Sequence, residues 1–404
     1  MRALLRFALQ IFYRRIEVVG QENIRSDRAV IFAVNHPNGL VDPLFVLCFA
    51  PRRVSFLAKA PLFRYPLIGW FVRKFESIPV YRKQDEVSGS NRETFTRARE
   101  ILARGGRIAI FPEGTTHSDP RLHPLKTGAA RIALGASLPL LDIVPTGIYY
   151  TEKQTFRSSA VVVFGAPIEV TPEPVDENGE PHHESVERLT QRIDEGLDAV
   201  TLQADSHSAL ELIARAEEIF SDEHESIEEE FEMRRRFVEG YHYLCTHDPL
   251  RLAILEAGIM NFTWRRGSAR DRSIAAWFFL PLAIAGAIPN YATYRLIGAL
   301  TNRLSRENEM RATFKFVGAL ALYPLTWIAI ASIVWWRINS ISAIATLIAL
   351  PILGYIALLV FESIGTWLSR PRTDLAAQRG AIRDEILAVW NEMRGATAPE
   401  SRSS

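Results

Sequence analysis

The stretch Asn35-His36-Pro37-Asn38-Gly39-Leu40-Val41-Asp42-Pro43 constrains the fold more than any other part of this sequence. It directly follows Ala29–Val34, an apolar run that predicts a buried strand. A second polar turn, Phe111-Pro112-Glu113-Gly114-Thr115-Thr116-His117, follows the apolar run Ile108–Phe111 in the same way. A His and an Asp a few residues apart can act as an oriented general base, and a Pro-Glu-Gly-Thr turn can hold an anionic substrate. The two turns, in this order and at this separation, predict a catalytic site.

The sequence around the two turns alternates between strand and helix patterns. Further apolar runs at Ile143–Tyr149 and Ala160–Phe164 predict strands, whereas Asn91–Arg104 and Thr127–Ala136 have helical patterns. Strands that alternate with helices are typical of α/β domains. We therefore expect an α/β fold with a mixed sheet covered by helices. A charged helical region and C-terminal transmembrane helices should follow it.

The composition bounds the class of protein. The 404 residues suffice for one sizeable core and a second region, and the net charge is +1. Two cysteines, Cys48 and Cys245, are too few for a disulfide framework and favour a reducing compartment. The N-terminal residues lack the apolar core and cleavage site of a secretory signal. The sequence has no Gly-x-Ser-x-Gly elbow, phosphate loop or dinucleotide fingerprint, which disfavours serine hydrolases and nucleotide-binding enzymes.

Four blocks of residues 15–170 resemble the glycerolipid acyltransferases, a family that acylates glycerol 3-phosphate, lysophosphatidate and related alcohols. The blocks are Asn35-His36…Asp42, Ser77-Ile78-Pro79-Val80-Tyr81-Arg82, Phe111-Pro112-Glu113-Gly114-Thr115 followed by Lys126-Thr127-Gly128-Ala129-Ala130, and Ile143-Val144-Pro145-Thr146-Gly147. Five residues separate His36 from Asp42, whereas the usual family spacing is four. A subgroup with the wording His-Pro-Asn-x-x-x-Asp-Pro-Leu shares the longer spacing. It includes fungal enzymes that use glycerol 3-phosphate or dihydroxyacetone phosphate.

The resemblance implies a role for each motif residue. His36 would be the general base, and Asp42 would fix its tautomer and stabilise the imidazolium. The substrate-binding residues would be Arg82, Glu113, Gly114, Thr115 and Lys126. Arg82 would offer a bidentate fork to phosphate, and Glu113 would hold Arg82 or an acceptor hydroxyl. We expect no metal and no cofactor, with acyl-CoA or acyl-ACP (acyl carrier protein) as co-substrate.

Several of these residues also have plainer interpretations. An isolated His36 would be read as a histidine in a turn after a strand, since Pro-Asn-Gly is a common turn sequence. Arg82 alone would be a surface arginine, and Lys59 and His117 are interpreted as neighbours rather than catalysts. The acidic run Glu217–Glu232 is typical of a solvated helix face. Only the combination of blocks favours the catalytic interpretation.

The remainder of the chain predicts a membrane protein. We expect an interfacial amphipathic helix over 1–15, the acyltransferase domain over 16–170, a polar loop and charged helical region over 171–270, a membrane region over 271–365 and a cytoplasmic tail over 366–404. Alternatively, the first helix covers one edge of the core. Segments 315–336 and 341–361 are long enough to span a bilayer. Segment 274–294 is doubtful because it contains Pro281, Pro289 and Asn290.

Basic residues on both sides of segment 274–294 favour a re-entrant or interfacial path, because a full span would leave one cluster on the wrong face. The catalytic domain would then be cytoplasmic on an integral membrane protein, in the inner or plasma membrane if the source is bacterial. The expected partners are membrane lipids, the acyl donor and a phosphorylated glycerol acceptor, without nucleic acid.

The expected reaction transfers a fatty acyl group to glycerol 3-phosphate or dihydroxyacetone phosphate in phospholipid biosynthesis. Acylation of lysophosphatidate or another lysophospholipid is the nearest alternative. Two others belong to different classes: hydrolysis of an acyl thioester, and a catalytically silent lipid-binding membrane module.

Overall fold

The structure, a computed structural model, describes residues 1–64, 66–81, 91–117, 119, 121–176, 180–201, 212, 215–216, 219, 227–261, 277–305, 308–368 and 375–397. The chain divides into two compact units. The first consists of Met1–Gln203 and Asn308–Thr313, and the second of Ala204–Glu307 and Phe314–Ser404. All the described strands lie in the first unit.

The first unit is built on one sheet with helices around it. Its strands are β1 (Arg15–Val19), β2 (Ala29–Val34), β3 (Ser55–Lys59), β4 (Ile78–Val80), β5 (Arg107–Ile110), β6 (Leu141–Tyr150), β7 (Ser159–Phe164) and β8 (Ile168–Val170). Its helices are α1 (Arg2–Phe12), α2 (Val41–Phe49), α3 (Pro66–Lys74), α4 (Asn91–Ala103), α5 (Gly128–Ala136) and α6 (His183–Val200). The strand order is β1-β7-β6-β2-β5-β3-β4, with β8 paired to β6.

The sheet is mixed. Strand β2 pairs in parallel with both β5 and β6, whereas β6 pairs antiparallel with β7 and β8. All residues of β2 are buried, as expected for an apolar strand that is covered on both faces. The predicted α/β fold with a mixed, helix-covered sheet is confirmed.

Helices α4, α5 and α6 share one apolar cluster with the central strands. The central members of this cluster are Ile31, Ile108, Ile143, Leu102, Ile132 and Ile193. Each is almost completely removed from water. Burial of one such side chain stabilises a fold by about 1.5–3 kcal/mol relative to exposure, so the cluster fixes the strands whose carboxyl ends carry the polar turns.

Helix α1 has two different sides. Leu9 and Phe12 are buried, and the Arg157 guanidinium donates to the Ile11 carbonyl at 3.1 Å. Leu4 and Phe7 are 66% and 58% exposed. One side of the helix therefore covers the core, while the other presents apolar surface of the kind that enters a membrane interface.

The second unit contains described helices but no described strand. They are α7 (Ile227–His247), α8 (Pro249–Asn261), α9 (Leu280–Leu304), α10 (Arg311–Arg337, whose first three residues belong to the first unit), α11 (Ser340–Leu368) and α12 (Leu375–Thr397). Phe237, Ile259 and Ile386 join α7, α8 and α12 in one apolar cluster. The stretch predicted as a tail thus contains a helix that packs on the charged helical region.

Two described helices are long and apolar enough to cross a membrane. They are Arg311–Arg337, with a mean hydropathy of 1.9, and Ser340–Ile364, with a mean hydropathy of 2.5. Predicted segments 315–336 and 341–361 lie within them. Only 6% and 17% of their apolar windows are buried, which leaves large apolar surfaces for another environment to cover.

Helix α9 contains most of the doubtful segment, and it is not one of the two described helices that meet the criterion for a span. Trp327 of α10 donates from Nε1 to Asn290 Oδ1 at 2.8 Å. A Cβ at Gly286 would lie 2.0 Å from the Leu353 carbonyl oxygen of α11, so glycine permits this close approach. Helix α9 therefore packs against both candidate spans through polar and small residues.

Candidate active site

Two loops at the carboxyl ends of adjacent strands form the site. The parallel pairing of β2 with β5 brings these ends to the same edge of the sheet. His36 follows β2, and Glu113 follows β5. The His36 N–H donates to Glu113 Oε1 at 3.1 Å, and the His117 N–H donates to the His36 carbonyl at 3.3 Å. The two polar turns of the sequence are therefore in direct contact.

Asn35 fixes the point at which the His36 loop leaves the sheet. Strands β2 and β6 pair as far as Val34 and Thr146. One residue later, the Asn35 side chain accepts from the Ile148 N–H at 2.7 Å and donates to the Ile148 carbonyl at 3.1 Å. This side-chain amide continues the backbone ladder beyond the end of β2 and holds His36 at the sheet edge.

His36 and Asp42 form a hydrogen-bonded pair. His36 Nδ1 lies 2.8 Å from Asp42 Oδ2. Asp42 lies in the first turn of α2 and is fully buried, whereas the His36 side chain is 13% exposed. Because Asp42 holds Nδ1, Nε2 is the ring nitrogen that remains to exchange a proton with a bound substrate. The ring also stacks on Phe111 at a centroid distance of 4.1 Å, which restricts its orientation.

The Asp42 carboxylate accepts hydrogen bonds on both oxygens. Oδ2 also accepts from the Asn38 N–H at 2.7 Å, and Oδ1 accepts from the Tyr150 hydroxyl at 2.6 Å. Three donors compensate a buried carboxylate for its lost water. Burial, and then the charge of Asp42, raise the pKa of Tyr150 well above its ordinary value. The phenol therefore keeps its proton and remains a donor at working pH.

Glu113 is a buried carboxylate that joins the two loops. It is 3% exposed. In addition to its bond with the His36 N–H, its Oε2 accepts from the His123 N–H at 3.0 Å and from His117 Nε2. Protein donors thus occupy both oxygens, which favours a role in positioning the His36 loop over direct contact with an anionic substrate.

The turn after Glu113 brings the side chain of Lys126 over Gly114. Gly114 has φ +73°, a left-handed conformation that favours glycine. A Cβ at Gly114 would lie 2.5 Å from Lys126 Nζ, so the lysine side chain covers this glycine. Thr115 is half-buried beside it. The Lys126 backbone is fixed by its N–H, which donates to the Pro112 carbonyl at 2.8 Å.

Lys153 is a second cation near the His36–Asp42 pair. Its carbonyl accepts from Asn38 Nδ2 at 3.3 Å. Burial lowers the pKa of Lys153, and the carboxylates of Glu309, Asp42 and Asp119 act against this lowering. The loops around the pair therefore carry both carboxylates and ammonium groups.

Residues 15–149 match the family model described as Acyltransferase. This segment of the chain is therefore a domain of the acyltransferase family. The matched segment, here called the acyltransferase domain, contains both polar turns and the buried His36–Asp42 pair. The family predicted from the sequence blocks is confirmed, while the subgroup inferred from the longer His…Asp spacing stays a prediction.

Proteins from other organisms match this chain over parts of their length. It is 29% identical over 277 residues to "Glycerol-3-phosphate O-acyltransferase 1" of Saccharomyces cerevisiae, covering 58% of this chain and 36% of that protein. It is 30% identical over 137 residues to "1-acyl-sn-glycerol-3-phosphate acyltransferase BAT2, chloroplastic" of Brassica napus, covering 34% of this chain and 38% of that protein. The chain thus spans less than two fifths of these two curated relatives.

A solved structure is similar in part. The crystal structure of the 1-acyl-sn-glycerophosphate acyltransferase from Thermotoga maritima aligns with a TM-score of 0.34 and 23% sequence identity. The alignment covers 48% of this chain and 76% of that one.

The acyltransferase domain brings together the predicted site residues that the structure describes. Those residues are His36, Asp42, Glu113, Gly114, Thr115 and Lys126. Arg82, the predicted phosphate ligand, lies outside the described residues.

Several site residues were missed by the sequence reasoning. The side chain of Tyr150 and the backbone of Asn38 both donate to Asp42. Tyr150 directly follows the predicted strand Ile143–Tyr149, and in the structure it is the last residue of β6. Strand β6 is parallel to β2 and extends beyond the end of β2. Its last residues therefore lie beside the loop that follows β2. Asn38 lies within the first motif, where the Pro-Asn-Gly sequence predicts only a turn.

A segment remote in sequence completes the His36 loop. The Leu40 N–H donates to Thr313 Oγ1 at 3.1 Å. Gly39 has φ +38°, and a Cβ there would lie 2.8 Å from Thr313 Oγ1 and 3.0 Å from Met310 Sδ. Both segments belong to the first unit. No pattern in the sequence indicated that residues 308–313 would join the acyltransferase domain.

We expect Tyr150→Phe to lower the free energy of unfolding by about 1–3 kcal/mol, because Asp42 loses a donor inside a buried site. Chemical unfolding in detergent micelles, followed by circular dichroism, measures the change. Tyr149→Phe removes the same atom from the opposite face of β6 and is the matched control. A Tyr150→Phe variant as stable as the unaltered protein would contradict the structural role of this hydrogen bond.

Proposed function

We propose that this acyltransferase moves a fatty acyl group from the thioester of coenzyme A or acyl carrier protein to a hydroxyl of glycerol 3-phosphate or dihydroxyacetone phosphate. The observation that carries the proposal is the buried His36–Asp42 pair, with Nδ1 and Oδ2 2.8 Å apart, at the carboxyl end of β2. Such a pair suits the removal of a hydroxyl proton at neutral pH.

In the proposed mechanism, the acceptor hydroxyl oxygen attacks the thioester carbonyl carbon while His36 Nε2 takes the hydroxyl proton. Asp42 holds Nδ1–H and stabilises the imidazolium that forms. The tetrahedral intermediate then collapses, the carbon–sulfur bond breaks, and the thiolate takes the proton from His36. Because a thiolate is a good leaving group, no covalent acyl-enzyme is required. The products are the acyl ester and the free thiol.

The acceptor phosphate would be held by cations around the Glu113 turn. Lys126 is exposed and lies over Gly114, where its ammonium group can meet an anion. Arg82 is proposed as a second ligand from its motif alone. Glu113 supports the arrangement indirectly, since its hydrogen bonds to His36 and His123 tie the two loops together.

Lys126→Gln should reduce kcat/KM for the phosphorylated acceptor by about 10-fold or more, because a hydrogen bond to a charged group contributes about 1.5–3 kcal/mol. The loss should appear mainly in the acceptor KM, with the donor KM unchanged. Lys74→Gln, at an exposed lysine on α3, is the matched control. An unchanged acceptor KM would remove Lys126 from the phosphate site.

Two acceptor classes are supported by the named relatives. The yeast relative is named for glycerol 3-phosphate, and the Brassica relative for its 1-acyl derivative. The His…Asp spacing favours the unacylated acceptor. A purified chain in lipid nanodiscs would be offered acyl-CoA or acyl-ACP with each acceptor and with water alone. Ester formed from glycerol 3-phosphate or dihydroxyacetone phosphate supports the proposal. Ester formed from lysophosphatidate alone, free fatty acid alone, or no product with any donor would each contradict it.

We also propose that the chain is an integral membrane protein with its catalytic domain on the cytoplasmic face. Support comes from the two candidate spans, which only the short sequence 338–339 separates. Cys245, an exposed thiol on α7, should then react with an impermeant maleimide only in inside-out vesicles. Asn339→Cys in a Cys245→Ser background should react only in right-side-out vesicles. The opposite pattern, or labelling of both sites from one side, would overturn this topology.

A further inference from the structure

We propose that His117, Asp119 and His123 bind one divalent transition-metal ion of the zinc class beside the His36–Asp42 pair. One donor atom from each of the three side chains lies within 4.8 Å of the others. None of the three takes part in the proton transfer proposed above. The proposal therefore concerns a separate property of the chain, and its test does not depend on acyl transfer.

The donor atoms already converge on one point. His117 Nδ1 lies 3.7 Å from Asp119 Oδ2, and His123 Nε2 lies 2.5 Å from the same oxygen. Donors about 2.1 Å from a tetrahedral zinc ion are about 3.4 Å apart, so these spacings bracket the required one. The two imidazoles stack in parallel at 3.6 Å and would fan apart by a small tilt to point both lone pairs at one ion.

Glu113 supplies the second observation, because it holds the opposite nitrogen of His117. Its buried Oε2 accepts from His117 Nε2, which places the ring proton on Nε2 and the lone pair on Nδ1. A metal-binding histidine commonly donates its other ring N–H to a carboxylate in this way. At present the Nδ1 lone pair accepts a 3.3 Å hydrogen bond from the Asp119 N–H, a long bond that the ion would replace.

The composition and exposure of the cluster select the class of ion. Two imidazoles and one carboxylate suit zinc and similar divalent transition metals, whereas calcium and magnesium prefer sites built from oxygen ligands. His117 is largely buried, but Asp119 is exposed and His123 is half-exposed. Water or a small ligand can therefore fill the remaining coordination positions. The Lys153 ammonium disfavours a cation here, and the buried Glu113 carboxylate favours one.

Hydrogen bonds through Glu113 connect the cluster to the His36 loop. Glu113 accepts from His117 through Oε2 and from the backbone of His36 through Oε1. The His123 N–H also donates to Glu113. Both histidines donate to Glu113, which in turn holds the backbone of His36. An ion bound by His117 and His123 would thus restrict the position of Glu113. We expect bound zinc to raise the unfolding temperature of the chain, since it binds only the folded arrangement.

The test is zinc binding by the full chain in detergent, without an affinity tag and after treatment with a chelator. Equilibrium dialysis with metal analysis should give one tightly bound zinc per chain. Asp119→Asn and His123→Gln should each weaken binding at least 10-fold and abolish the rise in unfolding temperature. His183→Gln is the matched control, because His183 pairs with Glu187 at the same i,i+4 spacing but outside this cluster.

One zinc bound per chain, with binding lost in Asp119→Asn and retained in His183→Gln, supports the site. Zinc retained in both cluster variants, or an affinity no tighter than that of an exposed histidine pair, overturns it. Circular dichroism checks that each variant is folded, and Asp119→Asn changes only an exposed side chain, so at least one variant remains interpretable. Cobalt gives an independent reading, because its visible absorption should report mixed nitrogen and oxygen ligation that disappears in His123→Gln.

Discussion

His36→Ala is expected to lower turnover by about 10²–10⁴-fold, because the acceptor hydroxyl loses the base that removes its proton. The structure makes this loss specific. His36 Nδ1 is held by Asp42 at 2.8 Å, and the ring stacks on Phe111, so no other described imidazole occupies that position against the carboxylate. Binding of the donor thioester should be nearly unchanged, since the base contributes mainly to the transition state.

The measurement is kcat and KM for both substrates in nanodiscs, with the rate followed by release of the free thiol. His183→Ala, at an exposed histidine of α6, is the control for loss of an imidazole elsewhere. His36→Ala also removes one hydrogen-bond donor from the buried Asp42. The unfolding temperature of this variant must therefore be compared with that of the unaltered chain. A folded His36→Ala protein that retains a tenth of the original turnover would be incompatible with general-base catalysis by His36.

Asp42→Asn is expected to reduce turnover by about 10²–10⁴-fold while the chain stays folded. The amide oxygen can still accept from Asn38 and His36, and the amide nitrogen can face Tyr150, whose hydroxyl is able to accept as well as donate. The negative charge that stabilises the imidazolium is lost, however. In hydrolases built on a similar pair, this exchange costs about 10⁴ in rate.

Asp142→Asn is the matched control for the loss of a buried carboxylate. Asp142 lies on β6, is fully buried, and pairs with Arg25 at 2.7 Å and Arg28 at 3.1 Å. Its replacement should destabilise the domain, because it leaves the arginines without their buried partner, yet preserve the turnover of the folded fraction. Equal losses of turnover per folded molecule in the two variants would show that Asp42 acts through the fold and not through His36.

The sequence predicted the parts of the site that depend on local order. His36 and Asp42 lie on either side of one strand-to-helix turn, and Glu113 lies in another, so short-range patterns sufficed to find them. The apolar runs predicted β2, β5, β6 and β7, because a strand buried on both faces consists of consecutive apolar residues. The alternation of these strands with helices then predicted a sheet covered by helices.

The rest depends on contacts between distant segments. Tyr150 reaches Asp42 because β6 extends beyond β2, and the register that causes this is set by pairing across the sheet. His123 and His117 converge on Glu113 through the path of a loop that has no periodic pattern. Polar residues in such loops look like ordinary surface residues in a sequence, which is why the sequence predicts His117 only as a neighbour of the site.

The hydrogen bond from Leu40 to Thr313 bears on how the catalytic domain can be isolated. A boundary placed at the end of the family match, or at Gln203 where the first stretch of the first unit ends, would leave out every later residue. Such an excised fragment would lack residues 308–313, which pack on Gly39 in the loop between His36 and Asp42. A water-soluble version suited to crystallisation or inhibitor screening would therefore need those six residues grafted back through a linker, although in the intact chain they lead directly into an apolar helix.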